Sequence, residues 1–494
     1  MSSENSSTKW GQFIPLVSVF FFWGFVAASN DILIPVFKKA FDLKGAEAQL
    51  VSLAFYIAYT VGAIIYMIIS YLIKQDLTNK IGYKNGLALG LSISAVGTML
   101  FYPAANNGSF PLMLSGLFIV ALGFSLQQTV ANPLAIALGS LNTGSQRLTL
   151  AGGINNLGTT IGPLLVGLAI FGSASAENTE ASIESVKIPY LILGAAFLAV
   201  AIFLKFSSLP DRPNIVETPE QDAISENTAS LHSNVLDAPA REKTSALQYP
   251  QLVLGMIAIF VYVGVEVATA SNLPSFMEEV LHFKTKGTAP YVSLYWASLM
   301  IGRWTGAVEA FNPSASIGKM FKFFAPYLAF LVFLGVNSLM GTNLAPFYIY
   351  APLILVLIFA DIASKGNPAN MLLIFSGLGI LALLIGIFSS GMISVYAFCS
   401  VGLFCSTLWP CIFTLAVSGL GTKTAQGSNF LIMMIMGGGI ISWIQGFVSD
   451  HSSIQLSYFV GVACFAYLAF YAWKVSSILK AQGISFDKKV GGGH

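Results

Sequence analysis

Ionisable side chains are scarce in this sequence: Asp, Glu, Lys and Arg make up 9% of its 494 residues, and 55% are hydrophobic. A soluble domain usually carries roughly 25% charged residues, so the composition excludes a soluble protein. The formal net charge of +2 gives no sign of a nucleic-acid-binding surface, and we expect no nucleic-acid partner. The composition predicts a polytopic membrane protein surrounded by lipid.

Cysteine and histidine are also few. The four cysteines all lie in apolar segments and lack the spacing of a metal-ligand pair, so we expect buried structural thiols. They are Cys399, Cys405, Cys411 and Cys464. None of the four histidines falls inside a predicted span, which disfavours a histidine metal site or proton relay. We therefore expect neither a metal nor a cofactor.

Apolar segments of roughly 17–28 residues, long enough to cross about 30 Å of hydrocarbon, recur along the whole chain. Only helices and closed barrels satisfy the backbone in lipid, and these segments are too long for barrel strands. The predicted fold class is an all-α bundle of fourteen spans, the first of them retained and not a cleaved signal. The spans are expected near 11–37, 48–73, 85–104, 110–139, 147–172, 188–206, 249–273, 289–311, 320–341, 345–362, 368–389, 392–418, 424–448 and 454–475.

The basic residues are distributed unequally between the two ends of these spans. With fourteen spans, eighteen of the 24 Lys and Arg residues fall on the side of the N-terminus, and six fall on the other. The six are Lys38, Lys39, Lys44, Lys187, Lys284 and Lys286. Because positive charge accumulates on the cytoplasmic side, we expect both termini in the cytoplasm.

The chain divides at a polar, proline-containing stretch, 207–248, that has no apolar period and is predicted to be a cytoplasmic linker. It separates a six-helix half (11–206) from a second half (249–311 and 366–478) that is interrupted by an extra apolar hairpin (312–365). The first span of each half contains Gly, then Ser-Asn, then Pro-x-Phe: "WGFVAASNDILIPVF" and "VGVEVATASNLPSF". Parallel repeats of this kind are typical of transporters.

Asp31 is the acid in the first apolar span. A carboxylate there is costly unless it has a function, and Pro35 on the same helical face frees a backbone carbonyl. We expect Asp31 to bind a coupling cation, either H⁺ or Na⁺. The alternative is a carboxylate that reaches the membrane surface near Lys38.

Amide side chains are the candidates for binding a neutral, hydroxyl-rich substrate, because they offer both donors and acceptors. In span 4, Gln128 and Asn132 lie on one helical stripe with Ser125, whereas Gln127 points about 100° away. In span 5, "LAGGINNLG" offers Asn155, with Asn156 as the weaker choice. The alternative is hydrogen bonding between helices, which is common for amides in membranes.

Further polar residues lie in spans 1, 7 and 8. Glu266 stands in the apolar centre of span 7 and is expected to face a central cavity. Asn30 and Asn272, each in a Ser-Asn pair, are added to the substrate-binding candidates. Arg303 and Glu309 in "IGRWTGAVEAF" are expected to form a gating charge network near the cytoplasmic end of span 8.

Several stretches, in order, resemble the major facilitator superfamily and, within it, the fucose–galactose–proton symporter family. They are "ASNDILIPVFKKAF", "LQQTVANPLAIALG", "RLTLAGGINNLGTTIGP", "YVGVEVATAS", "IGRWTG" and "LWPCIFTLAVSGLG", with "GSNFLIMMIMGGGIISWIQGFVSD" near the end. The resemblance covers most of residues 11–475. It implies twelve core helices in two halves, a central sugar site and alternating access.

Two departures from the family pattern matter. Fucose-transporting members carry acids in spans 1 and 4; Asp31 matches the first, but Gln128 occupies the second position and cannot titrate. That Gln, the Glu of "YVGVEV" and the match of Asn155 to a sugar-contacting Asn favour the glucose/galactose branch. The stretch 312–365 is expected to be a peripheral helical hairpin added to the twelve-helix core, without transport chemistry; the alternative is a re-entrant or surface excursion.

The sequence thus predicts a monomeric, cation-coupled importer of glucose or galactose in the bacterial inner membrane. Fucose, mannose, an N-acetylhexosamine or a drug is the alternative substrate, and a membrane sugar sensor that does not transport is the alternative from another class. An enzyme is disfavoured, since the spans contain no HExxH, no GxSxG and no paired histidines.

Overall fold

A computed structural model describes residues 8–74, 80–138, 144–171, 183–211, 245–307, 315–420, 423–484 and 486. Across these residues the chain forms helices joined by turns, with no strand. Most of the predicted linker 207–248 lies outside the described residues, as does Glu309.

The helices before the linker make up what we call the first half. Their bounds are α1 Trp10–Ala40, α2 Gly45–Ala48, α3 Leu50–Leu72, α4 Tyr83–Met99, α5 Phe101–Asn106, α6 Phe110–Ala137, α7 Gly144–Phe171 and α8 Lys187–Phe206. A short 3-10 helix, Ile183–Val186, precedes α8.

The helices after the linker make up the second half. Their bounds are α9 Pro250–Glu279, α10 Thr285–Ala307, α11 Ala315–Leu339, α12 Ala351–Ser364, α13 Pro368–Phe388, α14 Met392–Cys405, α15 Leu408–Val417, α16 Thr424–Met433, α17 Gly437–His451, α18 Ile454–Ser457 and α19 Phe459–Ala481. Three 3-10 segments accompany them: Ala246–Gln248, Ala345–Tyr350 and Met434–Met436.

Helical segments occupy each of the fourteen predicted spans, and the all-α fold class is confirmed. In the described part of the chain, twelve segments are long and apolar enough to cross a membrane. The other two predicted spans correspond to α3, whose apolar stretch Leu50–Tyr66 is shorter, and to α10, which is richer in polar residues. The protein is a multi-pass membrane protein.

The two halves meet through two pairs of helices. In one pair α7 packs along α10, and in the other α3 packs along α17, while α1 and α9 contact each other between them. The second long helix of each half, α3 in the first and α10 in the second, thus packs on a later helix of the other half. This arrangement agrees with the repeat that the sequence indicates, and it brings residues of α1, α7, α9 and α10 together.

Among the described residues, the buried apolar side chains form two clusters that are divided unequally between the halves. One cluster, with Phe20 and Phe124, belongs to the first half alone. The other covers the second half and also includes residues of the first half such as Ile32 and Phe37, which lie where α1 approaches its last residue. The apolar core is therefore shared by both halves towards the end of the bundle at which α1 and α9 finish.

The extra hairpin consists of α11, the 3-10 segment and α12, and it packs against α10, α13 and α14. Its outer surface is apolar, with Leu331 and Phe359 more than 60% exposed. Its inner surface is joined to α10 by a 2.7 Å hydrogen bond between the hydroxyls of Tyr350 and Ser298. The hairpin thus packs at the periphery of the second half.

Candidate functional site

Asp31 lies where the two halves meet and is only 2% exposed. Its Oδ2 accepts a 2.8 Å hydrogen bond from Nε1 of Trp296, on α10 of the second half. Its carboxylate therefore faces the other half. Lys38, the neighbour expected for a surface-directed Asp31, instead pairs with Glu279.

A second polar cluster is built around Glu266 on α9. Its Oε2 accepts a hydrogen bond from the Tyr262 hydroxyl one turn earlier and lies 4.0 Å from Nη2 of Arg303 on α10. Nη1 of Arg303 donates to Oδ1 of Asn156, on α7 of the first half, at 3.1 Å. Arg303 therefore connects an acid of one half with an amide of the other, and Trp409 lies beside Tyr262 with ring centroids 6.2 Å apart.

The amides of α6 have different surroundings, as their helical phase predicts. Gln127 is fully buried inside the first half, where it accepts from Nε1 of Trp23 at 3.0 Å and donates to Ser94 at 3.2 Å. Gln128 and Asn132 are half-buried. The helix therefore turns Gln127 towards structural partners and leaves Gln128 on a more accessible face.

The adjacent amides of α7 also differ. Nδ2 of Asn155 donates to the Phe20 carbonyl at 2.9 Å, a contact between α1 and α7. The two helices approach closely there, because a Cβ on Gly24 would overlap the Asn155 carbonyl. Asn156, which the sequence analysis placed second, is the amide that meets Arg303, and its Nδ2 is buried without a described hydrogen-bond partner.

The Ser-Asn pairs of α1 and α9 are buried in the same region of the bundle. Oδ1 of Asn272 accepts from Nε2 of Gln49 at 3.2 Å, and its own Nδ2 donates to the Ala268 carbonyl. Asn30 is 3% exposed, and its Oδ1 has no described partner. Gln49 belongs to the first half, so the Gln49–Asn272 bond also joins the halves.

Charged groups join the halves at the end of the bundle where α1, α9 and α17 finish, which we call the closed end. Lys38 pairs with Glu279 at 2.5 Å and Lys39 with Glu278 at 3.0 Å. The carboxylate of Asp450 accepts from the first two backbone N–H groups of α2, at 2.6 and 2.9 Å.

The closed end also contains a backbone contact between the halves. A Cβ placed on Gly446 of α17 would lie 2.7 Å from the carbonyl oxygen of Gly45 and 2.9 Å from its carbonyl carbon. A side chain at Gly446 would therefore force the two segments apart. Glycine allows α17 to reach the start of α2 directly.

The described residues contain no group of three or more His, Cys, Asp or Glu arranged to hold a metal ion. All four cysteines are buried and unpaired, as predicted. The polar groups brought together are instead isolated acids, amides, tyrosines and one arginine, set between two helical halves. Such an arrangement supplies hydrogen-bond donors and acceptors. It also supplies one carboxyl group in each of two clusters, that of Asp31 and that of Glu266.

A helical bundle of two repeated halves with polar residues between them is the architecture of a membrane transporter. A family model described as Major Facilitator Superfamily matches residues 16–337. The chain therefore belongs to the major facilitator superfamily.

Its relatives are sugar transporters by name. The chain is 32% identical to the glucose/galactose transporter of Brucella abortus biovar 1 (strain 9-941), covering 95% of this chain and 96% of the relative. It is 28% identical to the L-fucose-proton symporter of Escherichia coli (strain K12), over 93% and 92% of the two chains. The family resemblance predicted from the motifs is thus confirmed.

Solved structures show the same fold. The superfamily transporter FucP in its outward conformation matches with a TM-score of 0.58 and 27% identity, covering 94% of this chain and 98% of that one. A D-xylose-proton symporter matches with a TM-score of 0.61, over 95% and 98% of the chains. At 13% identity the second match speaks for the fold alone.

Proposed function

We propose that the protein imports a neutral monosaccharide, glucose or galactose, together with a proton, by alternating access between its two halves. The observation that carries the proposal is the buried Asp31 at the junction of the halves, bonded to Trp296 of the other half. An acid in that position can bind a proton, and its hydrogen bond to Trp296 depends on how close the two halves are. The relatives named as glucose/galactose transporters support the substrate class.

The sugar site is proposed between the halves. Gln128 and Asn132 of α6 are half-buried, and their amides match the donors and acceptors of sugar hydroxyls. Glu266 and the Asn155–Asn156 pair face them in our proposal from α9 and α7. Asn30 and Asn272 would bind at the closed-end side of the same space.

The proton is the proposed coupling ion. A carboxylic acid that accepts one N–H donor can bind a proton without rearrangement, whereas Na⁺ requires several oxygen ligands. The relatives that are named for their ion are proton symporters. We assign the proton to Asp31, and gating to Arg303 together with Glu309.

The charge distribution and the fold together support an orientation in the membrane. With fourteen spans, eighteen of the 24 Lys and Arg residues are assigned to the side of the N-terminus, and we propose that this side is the cytoplasm. The closed end then faces outwards, so the structure corresponds to a conformation closed towards the exterior. We propose a monomer of two six-helix halves in the bacterial inner membrane, with no enzymatic activity, a cytoplasmic linker (207–248) and a peripheral hairpin (312–365).

Transport by the purified protein in liposomes tests the function. Labelled glucose, galactose, fucose, mannose and N-acetylglucosamine are offered under separate inward proton and Na⁺ gradients. We expect concentrative uptake of glucose or galactose with the proton gradient only. Uptake driven by Na⁺ alone would overturn the proton assignment, and sugar binding without flux would identify a sensor.

A further inference from the structure

Two hydrogen bonds that join the halves have corresponding positions in the repeat. Asp31 on α1 accepts from Trp296 on α10 at 2.8 Å. Asn272 on α9 accepts from Gln49, between α2 and α3, at 3.2 Å. Each bond joins the first long helix of one half to the second predicted span of the other, to its helix α10 in one case and to Gln49 just before α3 in the other.

The sequence repeat places the two acceptors almost at equivalent sites. Ser29-Asn30-Asp31 in α1 corresponds to Ser271-Asn272-Leu273 in α9, so the acceptor of one bond lies one residue from the equivalent of the other. All four side chains of the two bonds are at most 5% exposed. The two bonds therefore hold the two halves together, one through an acceptor on α1 and the other through an acceptor on α9.

The chemistry of the two bonds differs in one respect. Gln49 and Asn272 are amides and keep the same charge at every physiological pH. Asp31 changes charge when it binds a proton, and the indole N–H of Trp296 can only donate. A hydrogen bond to an ionised carboxylate is about twice as strong as one between neutral groups.

We propose that Trp296 is the positioning residue that couples proton release from Asp31 to closure of this end of the bundle, while the Gln49–Asn272 bond holds the same end closed independently of pH. The inference deepens the proposed proton symport and rests on it. Because Trp296 reaches Asp31 only when the halves are together, closure favours loss of the proton. By linkage, loss of the proton favours closure to the same extent.

None of the described groups around Asp31 replaces it as the group that changes charge with pH in the contact with Trp296. Among the described residues, Tyr56 of α3 and Tyr295 of α10 interact with it electrostatically, and phenols are uncharged at neutral pH. Glu266 of α9 acts on the same two tyrosines, but it is bonded to Tyr262 and lies near Arg303. On α1 itself, Lys38 is paired with Glu279.

The remaining helices packed against α1 add no second titrating partner within the described residues. Arg147 lies near the start of α7, at the end of the bundle opposite the closed end, and donates to the Ala135 carbonyl of α6. Described α6 contains no ionisable residue, and Glu47 of α2 is bonded to the Lys44 backbone. Lys187 and Lys205 of α8 are bonded to Glu184 and Asn85.

The test measures closure directly as a function of pH. Spin labels are placed by Asn107→Cys in the first half and Ser390→Cys in the second, two exposed turn residues at the closed end, after the four native cysteines are replaced by alanine. The purified full-length protein is reconstituted in lipid nanodiscs without sugar. The label-to-label distance distribution then gives the closed fraction.

For the unsubstituted interface we expect the closed-to-open ratio to rise about tenfold as Asp31 ionises, the effect of one hydrogen bond to a charged group. Trp296→Phe keeps an aromatic ring but removes the donor, and its ratio should change less than about twofold over the same range. Gln49→Met is the matched control. It should lower the closed fraction at every pH and leave the tenfold rise intact.

A full pH response in Trp296→Phe would overturn the inference, as would loss of the response in Gln49→Met. Should Trp296→Phe not fold, Trp296→Gln, which keeps an N–H donor, is compared with Trp296→Met, which has none; equal pH responses of the two would also overturn it. Sugar counterflow by the unsubstituted protein separates the two levels of proposal. Absence of counterflow refutes the transport function itself, whereas a defect confined to the pH response concerns Trp296.

Discussion

Arg303 of α10 donates to Asn156 of α7 at 3.1 Å while its other terminal nitrogen lies 4.0 Å from the Glu266 carboxylate. One side chain thus touches an acid in its own half and an amide in the other. Any movement that separates α7 from α10 must break the first contact and leave the second. Separation of the halves would therefore change the contacts of Arg303 beside Glu266.

Replacement of Arg303 should slow transport more than it weakens sugar binding. Arg303→Lys keeps the charge, but its three N–H donors share one nitrogen and do not reproduce the fork with which Nη1 and Nη2 reach Asn156 and Glu266. We expect the maximal rate to fall about tenfold, the effect of one hydrogen bond to a charged group, with a smaller change in KM. Lys474→Gln, an exposed basic residue of α19, is the control. Unchanged kinetics of Arg303→Lys would remove the gating role.

Asp31→Asn should abolish accumulation of sugar against its gradient while sugar counterflow continues. The carboxamide oxygen still accepts from Trp296, so the contact between the halves is kept, but the side chain can no longer carry a proton. Uptake and counterflow in proteoliposomes distinguish the two activities. Asp42→Asn changes an exposed carboxylate beyond α1 and should accumulate sugar normally. Full accumulation by Asp31→Asn would show that the proton binds elsewhere.

Adjacent glutamines of α6 provide a matched pair of variants. Gln128→Leu should raise KM for the sugar about tenfold, the upper range for one lost hydrogen bond, without lowering the melting temperature. Gln127→Leu removes the bonds to Trp23 and Ser94 and should lower the melting temperature with little change in KM. The reverse pattern would place Gln127, and not Gln128, in the sugar site.

The contacts of the closed end should differ in importance. Asp450→Ala leaves two N–H groups of α2 without their acceptor, and loss of a cap of this kind costs about 0.5–2 kcal/mol. Glu279→Gln breaks an ion pair in which Glu279 is 44% exposed, and such pairs contribute about 0–1 kcal/mol. We expect Asp450→Ala to decrease the closed fraction more, as measured by the Asn107–Ser390 label distance. An equal effect of both variants would contradict this ranking.

Local pattern was sufficient to predict the helices. Runs of apolar residues determine where a chain can cross a bilayer, and helical phase separated Gln127 from Gln128 correctly. Asn155 and Asn156 were harder, because which of them faces the other half depends on how α7 is rotated against α1. That rotation follows from close contacts of α7 with α1, at Asn155 beside Gly24 and at Gly158 and Gly162. Asn155 lies three and seven residues before these two glycines and so on their face of the helix, a spacing from which its contact with α1 could have been predicted.

The partner of Asp31 was beyond prediction from the sequence. Trp296 stands 265 residues away along the chain, and no pattern in the sequence links the two. A tryptophan in an apolar span is usually a packing residue. Only the packing of α1 near α10 identifies its N–H as a donor to the acid.

The contact of Gly446 with Gly45 has a consequence for how tightly the closed end of the bundle can shut. Backbone meets backbone there, so the width of the seal is determined by the polypeptide itself and does not depend on the rotamer of any side chain. The distance between α17 and the start of α2 is therefore fixed at this point by backbone atoms. In the proton symport proposed above, incomplete closure would let protons cross without sugar and dissipate the gradient that we propose drives uptake. A methyl group added at Gly446 would hold α17 away from the start of α2, and under the proposed symport we expect such a variant to leak protons.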